Sequence, residues 1–334
     1  MNTQKTILFN IVGTTKLGLG HVYRALTLAN LVKQHNVIFY CKEDSLNYCC
    51  KIIGDLFPIN SNEKDIWGVI DSLNVDLVIN DILNTSEEFM LGFVKRNIHT
   101  INFEDLGAGS KHADLVINEL FDEPVNDYKN VLWGNKYSVL RDEFLEAEIN
   151  KYTDKVDSVL ITFGGTDQGN LTSKVLGIIY DVCLKHDVNI YIVTGLGYSY
   201  IEKLEESIKW YVKKGVKVEF FYHSGVISSI MQKCQIAITA NGRMVYELAH
   251  LNLPSIILSH HERETTHLFA KIENGFFPLG MYAGEETKRK IRHILETLIE
   301  DNSARLAAYE RIKKNTFIGN NDRILKLINE VVEK

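Results

Sequence analysis

Four short stretches carry residues whose types and spacing suit chemistry. The first is Gly18-Leu19-Gly20-His21, with Gly13 ahead of it and Arg24 behind. It joins an apolar run, Thr6 to Val12, to a segment in which Val22, Leu26, Ala29 and Val32 recur at helical spacing. Glycines let a backbone approach a ligand closely, and the free N–H groups of a helix start attract anions. A histidine in that first turn suits a general base. Imidazole changes charge near neutral pH, and a helix N-terminus disfavours the charged form. The spacing is not the dinucleotide fingerprint GxGxxG, since Tyr23 stands at the third glycine position, and no GK[ST] of a P-loop is present. A tight turn closed by a capping histidine would use the same residues, so this loop alone leaves its role open.

The second stretch is Phe163-Gly164-Gly165-Thr166-Asp167, with Asn170 and Thr172 opening the helix after it. It reads either as a turn facing phosphate or sugar, or as a plain strand–turn–helix connection. The third is Asn241-Gly242-Arg243-Met244, running on to Glu247. Backbone N–H groups after Gly242 could hold a diphosphate, with Arg243 offsetting its charge. Glu247, one helical turn beyond Arg243, could accept both hydroxyls of a ribose. The fourth, residues 259–267, gathers His260, His261, Glu264 and His267. It has no HxH or HExxH spacing and no nearby Asp, so it is expected to line a ligand site and not to bind a metal.

Positioning these loops requires strands and helices in alternation. The first half reads as strands at 7–12, 36–41, 77–80, 99–103 and 115–118. Helices are expected between them at 21–34, 45–54, 64–73 and 86–96. A polar, charged run at 143–157 marks a linker. The pattern then restarts with strands at 158–163, 188–194, 216–221, 236–240 and 255–258. Helices are expected at 171–186, 199–214, 227–232 and 243–250, and the tail at 285–333 reads as helical. Such alternation implies right-handed crossovers and parallel sheets. The expectation is an α/β protein of two doubly wound, Rossmann-like domains, 1–150 and 151–334, with the last helix packing back on the first. In such sheets ligands sit at the carboxyl ends of strands, where the four stretches fall.

The 334 residues exceed what one core usually holds, and 45% hydrophobic with 24% charged residues is ordinary for globular chains. Lys plus Arg total 37 against 43 Asp plus Glu, a net charge of −6 without blocks of like charge, which argues against a nucleic-acid partner. No stretch approaches the length needed to span a bilayer, and the leading apolar run is too short for an export signal; a cytoplasmic protein is expected. The five cysteines are odd in number and lack metal-knuckle spacing, so reduced thiols are expected.

Three of the strings, GLGHVYRALTLA (18–29), ITFGGTDQGNLT (161–172) and ITANGRMVYELA (238–249), with YSVLRDEF (137–144), resemble in their order the UDP-sugar hydrolases of pseudaminic acid biosynthesis. These belong with the MurG-like glycosyltransferases of GT-B fold. The resemblance runs from about residue 7 to residue 280. It implies a GT-B fold, two Rossmann-like domains facing across a cleft, and a nucleotide sugar as the small-molecule partner. It implies a hydrolase that releases UDP from a 2,4-diacetamido-2,4,6-trideoxy sugar. Water attacks the anomeric carbon with inversion, and no metal or other cofactor is needed. His21 takes the place of the proposed base. Gly18, Gly20 and Arg24, with Gly164, Gly165, Thr166 and Asn170, fall on the substrate, on its sugar or phosphate side. Asn241, Gly242, Arg243, Met244, Glu247 and Glu264 fall on the nucleotide, with Glu247 on the ribose. The family carries Arg-x-Asp ahead of the glycine loop, where this chain has Asn10-Ile11-Val12, so the sugar recognised is open. Asp81 and Asp105, in the polar strand ends Asn80-Asp81 and Glu104-Asp105, are placed near that sugar.

A glycosyltransferase would use the same nucleotide site with an acceptor hydroxyl in place of water. A binding protein without turnover is a further alternative, opposed by His21. An NAD-dependent oxidoreductase shares the general architecture but requires a glycine spacing that this chain lacks.

Overall fold

The computed structural model describes residues 4–61 and 65–334. It divides into two compact units, one made of Met1–Arg141 and Phe317–Lys334, the other of Asp142–Thr316. The first unit thus ends ahead of the expected break at 150/151, and the chain's last residues rejoin it.

In the first unit the chain runs β1 (Thr6–Ile11), α1 (Gly20–Leu31), β2 (Asn36–Cys41), α2 (Glu43–Ile52), β3 (Ile59–Asn60), α3 (Ile66–Leu73), β4 (Leu77–Asp81), α4 (Glu87–Lys95), β5 (His99–Phe103), β6 (Leu115–Asn118) and β7 (Val131–Trp133). Lys64, the expected start of the third helix, lies outside the described residues. The strands form one sheet in the order β3-β2-β1-β4-β5-β6-β7, with every pair parallel. Ile7, Leu8 and Phe9 are fully buried, because a parallel sheet is covered on both faces and its central strands must be apolar throughout. Phe9, Ile79 and Phe103 pack on one face with Val22 and Leu28 of α1. Leu8, Val78 and Val116 pack on the other with Ile70 of α3 and Phe93 of α4. Helix starts are locally encoded: Asp65 accepts from Trp67 and Gly68 N–H at α3, and Ser86 from Phe89 N–H at α4.

The strand order reverses between β1 and β4. Connections leaving these neighbours go opposite ways around the sheet, which opens a crevice at their carboxyl ends. The glycine loop follows β1, and Asp81 ends β4.

The second unit runs α5 (Asp142–Leu145), β8 (Ser158–Thr162), α6 (Leu171–His186), β9 (Asn189–Thr194), α7 (Ile201–Lys213), β10 (Val218–Tyr222), α8 (Ser228–Met231), β11 (Ile236–Ala240), α9 (Met244–His250), β12 (Ser255–Ser259), α10 (Glu262–Thr265), β13 (Phe276–Met281), α11 (Glu285–Glu300) and α12 (Asn302–Ile312). Its sheet, β10-β9-β8-β11-β12-β13, is also parallel and reverses between β8 and β11. The loops that follow those two strands hold Gly164–Asp167 and Asn241–Arg243.

Three strands differ from the sequence expectation. β3 and β7 are too short for a periodic signal. β13 contains Pro278 and Gly280, which suppress a strand reading, but it lies at the sheet edge, where a missing N–H is tolerated. The tail expected to be helical is made of three helices. Asp301 ends α11 and caps α12 through Ser303 and Ala304 N–H, and Gly319, at φ +80°, starts α13 (Asn320–Val332). α13 belongs to the first unit, where Ile324 and Ile328 are fully buried against α1 and the sheet.

One close approach in the second unit fixes a glycine pair. A methyl group on Gly195 would lie 2.4 Å from Gly165 Cα and 2.7 Å from its carbonyl oxygen. Gly195→Ala is therefore expected to destabilise the chain by about 1–3 kcal/mol through forced backbone shifts. Chemical denaturation would read this as a lower midpoint at unchanged slope.

Candidate active site

His21 lies in the first turn of α1, which opens at Leu19 without a side-chain cap. Gly18 takes φ +82°, a left-handed conformation that costs glycine little, and the loop closes on itself through Gly18 N–H to Thr14 O at 3.0 Å. Gly13 N–H donates to Ser45 Oγ at 3.1 Å, which ties the loop to α2. The imidazole is 12% exposed, and its Nδ1 is 2.6 Å from Asp81 Oδ1. Asp81 is fully buried. Arg24, one turn along α1, grips the same carboxylate with both edges of its fork: Nε to Oδ2 at 2.7 Å and Nη2 to Oδ1 at 2.6 Å. Its Nη1 donates to Glu119 Oε1 at 2.8 Å and stands 3.7 Å from Glu104 Oε1. The Phe103 ring lies 5.0 Å from the guanidinium carbon.

The electrostatics follow from this packing. Burial opposes ionisation of Asp81, but the charges of Arg24 and His21 and their hydrogen bonds outweigh it. The carboxyl is held well below the usual carboxylate range. Burial likewise opposes the charge on Arg24, and Asp81, Glu119 and Glu104 together raise its pKa nevertheless. Asp81 is thus an acceptor only, so Nδ1 of His21 donates to it, and in the uncharged ring Nε2 is then the acceptor. A histidine oriented by a buried carboxylate is the arrangement that general-base catalysis uses.

This geometry refines the expected roles in the first unit. Arg24 and Asp81, expected to bind substrate, are buried behind His21 at 1% and 0% exposure. Asp105, expected near the sugar, is also fully buried. Its Oδ1 accepts Thr85 and Gly107 N–H, and its Oδ2 accepts Thr85 Oγ1 at 2.6 Å and Asn102 Nδ2 at 2.7 Å. These bonds hold the loop after β4 to the loop after β5, and they end a row of buried amides in which Asn10 donates to Asn80 and Asn80 to Asn102. Asn10, standing where the resembled family carries arginine, is a member of this neutral row. Asp105→Ala is expected to leave those buried donors unpaired and to cost about 2–5 kcal/mol, measurable by urea denaturation. Glu119 was not singled out in the sequence. Its signal is a polar strand end, Asn118-Glu119, of the same kind as Asn80-Asp81 and Glu104-Asp105.

In the second unit, Gly164 takes φ +77°, and Thr166 is buried. Asp167 accepts Leu171 N–H and Thr172 N–H, both at 2.8 Å. Burial pushes the Asp167 carboxyl up, against those donors. The start of α6 is thus occupied by the chain's own carboxyl group, and Asn170 accepts a hydrogen bond from Tyr198 Oη at 2.6 Å. The N-cap residue of α9, Arg243, makes no side-chain cap hydrogen bond. Asn241 is buried and donates to Glu264 O and His267 O, latching the segment after β12. Gly242, Arg243, Met244 and Glu247 are half-buried. Glu264 accepts His260 N–H at 2.6 Å, and a methyl on Gly242 would lie 3.7 Å from its other oxygen. Among the described residues no cluster of metal-ligating side chains occurs, and no helix is long and apolar enough to cross a membrane.

No protein-family model matches the chain. It is 31% identical over 268 residues to an uncharacterized protein of Methanocaldococcus jannaschii, which covers 75% of this chain and 54% of that one. It is 26% identical to the spore coat polysaccharide biosynthesis protein SpsG of Bacillus subtilis, over 76% of this chain and 77% of that protein. It is 27% identical to a Helicobacter pylori protein named pseudaminic acid cytidylyltransferase and UDP-2,4-diacetamido-2,4,6-trideoxy-beta-L-altropyranose hydrolase, over 72% of this chain and 42% of that one. The chain therefore spans about half the length of two of these three relatives. Among solved structures, MurG of Acinetobacter baumannii superposes with a TM-score of 0.68 at 14% identity, over 98% of this chain and all of that one. The Anabaena protein HepE, in complex with UDP and glucose, superposes at 0.58 and 14%, over 97% and 99%. At such identities the likeness concerns the fold, and the fold is of the two-domain, Rossmann-like GT-B type.

Proposed function

We propose that this chain is a nucleotide-sugar hydrolase of surface-polysaccharide or nonulosonic acid biosynthesis, cleaving a UDP-linked deoxy-acetamido sugar. The observation that carries the proposal is the His21–Asp81 pair at the switch point of the first sheet. His21 Nε2 takes a proton from water as the water oxygen bonds to the anomeric carbon. The bond from that carbon to the phosphate oxygen breaks, UDP leaves with the electron pair, and the configuration inverts. Gly18 and Gly20 let the sugar approach the start of α1. The second unit supplies the nucleotide contacts: Gly242 and Met244 backbone N–H groups and Arg243 for phosphate, Glu247 and Glu264 for hydroxyls. The name of the Helicobacter relative supports the same substrate class, and that of the Bacillus relative supports the polysaccharide setting.

The test is phosphorus NMR of the chain with a UDP-linked 2,4-diacetamido-2,4,6-trideoxy sugar and no acceptor. Free UDP appearing at a rate proportional to enzyme supports the hydrolase. UDP that appears only once a sugar or lipid acceptor is added identifies a transferase instead.

A further inference from the structure

We infer that Arg24 and Glu119 are positioning residues for His21, joined to it in a buried relay anchored by the last helix. The inference rests on the reading of His21 as the base. Asn321, in the first turn of α13, grips Leu140 from both sides: its Oδ1 accepts Leu140 N–H at 3.2 Å, and its Nδ2 donates to Leu140 O at 2.8 Å. One residue earlier, Val139 N–H donates to Glu119 Oε2 at 3.1 Å. The other oxygen of Glu119 takes Arg24 Nη1, Arg24 forks onto Asp81, and Asp81 takes His21 Nδ1. Asp81, Arg24 and Glu119 have fully buried side chains.

One guanidinium thus serves several carboxylates. Glu104, 2% exposed and held at φ 55°, is the third. The charged groups facing the His21–Asp81 pair are Arg24 from α1, Glu104 after β5 and Glu119 after β6; Arg141, over the ring of Tyr23 at 5.3 Å, approaches the same helix. In a buried site such groups polarise one another strongly. Glu119 competes with Asp81 for the charge of Arg24. A stronger hold on Glu119 leaves Asp81 a better acceptor for the His21 proton, and so makes the ring a better base. Glu119 and Arg24 touch no reacting atom. They act by setting the Asp81 carboxylate in place and in basicity.

The test compares the parent with Glu119→Gln by proton and nitrogen NMR of the His21 ring, without substrate, and by the pH profile of kcat/KM. The relay predicts an upfield move of the His21 Nδ1–H resonance, because Arg24 then turns more of its charge on Asp81. It also predicts an acid limb lower by about half to one pH unit, a three- to tenfold change in proton affinity. A lowered melting temperature with both the resonance and the limb at their parental positions would mean that Glu119 only packs, and the relay falls. A resonance that moves without the limb supports the relay and counts against His21 as the base, so the two readings fail separately. Should Glu119→Gln not fold, Arg24→Lys keeps the buried charge but loses the fork. The relay predicts that the Nδ1–H resonance then weakens or vanishes, and a parental resonance overturns it.

Discussion

His21→Ala is expected to lower kcat on a UDP-linked deoxy-acetamido sugar by a factor on the order of 10²–10⁴, the usual worth of a positioned general base. KM should change far less, since the ring is assigned to water and the nucleotide to the second unit. Stability should change little as well. The His21 side chain is 12% exposed, and its removal leaves Asp81 still held by both edges of the Arg24 fork. A loss below about 1 kcal/mol is expected. Initial rates at saturating substrate, together with a urea denaturation curve, separate these quantities. A variant with parental kcat would remove His21 from the chemistry, whatever the fate of substrate binding.

Asp81→Asn is expected to reduce kcat on a similar scale for a different reason. An asparagine amide can donate to Nδ1, which shifts the ring proton to Nε2 and removes the acceptor that water needs. This variant should also be less stable, by about 2–3 kcal/mol, because two charge-assisted hydrogen bonds from Arg24 are weakened. The loss has a definite pH dependence. The folded Asp81 carboxyl lies below its ordinary value, so ionised Asp81 contributes stability from about pH 4 upward. That contribution falls progressively as the pH drops below about 4 and is gone once the pH has passed the lower folded value. The stability gap between parent and Asp81→Asn should therefore be constant through neutral pH and shrink as the pH falls below about 4. Denaturation midpoints from pH 7 down to pH 3 give the curve. A gap that stays flat down to pH 3, or that widens in acid, would place the Asp81 carboxyl in the ordinary range or above it.

The parts of the site legible in the sequence are those set by neighbours along the chain. The glycine loop and His21 follow an apolar strand and begin an amphipathic helix, and each of those signals is local. The same holds for the loops after β8 and β11, and so for the two doubly wound sheets. The partner of His21 is not local. Asp81 lies 60 residues on, and Glu119 lies 95 residues from Arg24. Only the strand order, with β4 beside β1, brings them together. A polar strand end reads as a ligand-facing residue whether it meets ligand or core. Asp81 and Asp105 both carried that reading, and the structure buries both. Asp167 shows the same ambiguity in the second unit: its loop reads either as a turn facing phosphate or sugar or as a plain connection, and its carboxyl group fills the helix start itself. β13 was hidden because proline rules out a central strand, while its edge position depends on the whole sheet.

The central claim is that water, with His21 as base, attacks the anomeric carbon. The most direct measurement is turnover of the UDP-linked sugar in ¹⁸O-labelled water, followed by phosphorus NMR of the released UDP and mass spectrometry of the sugar, for the parent and for His21→Ala. The account predicts label in the sugar, none in the UDP phosphate, and release slowed at least a hundredfold in the variant. Label in the β-phosphate, or equal release by the variant, would contradict it.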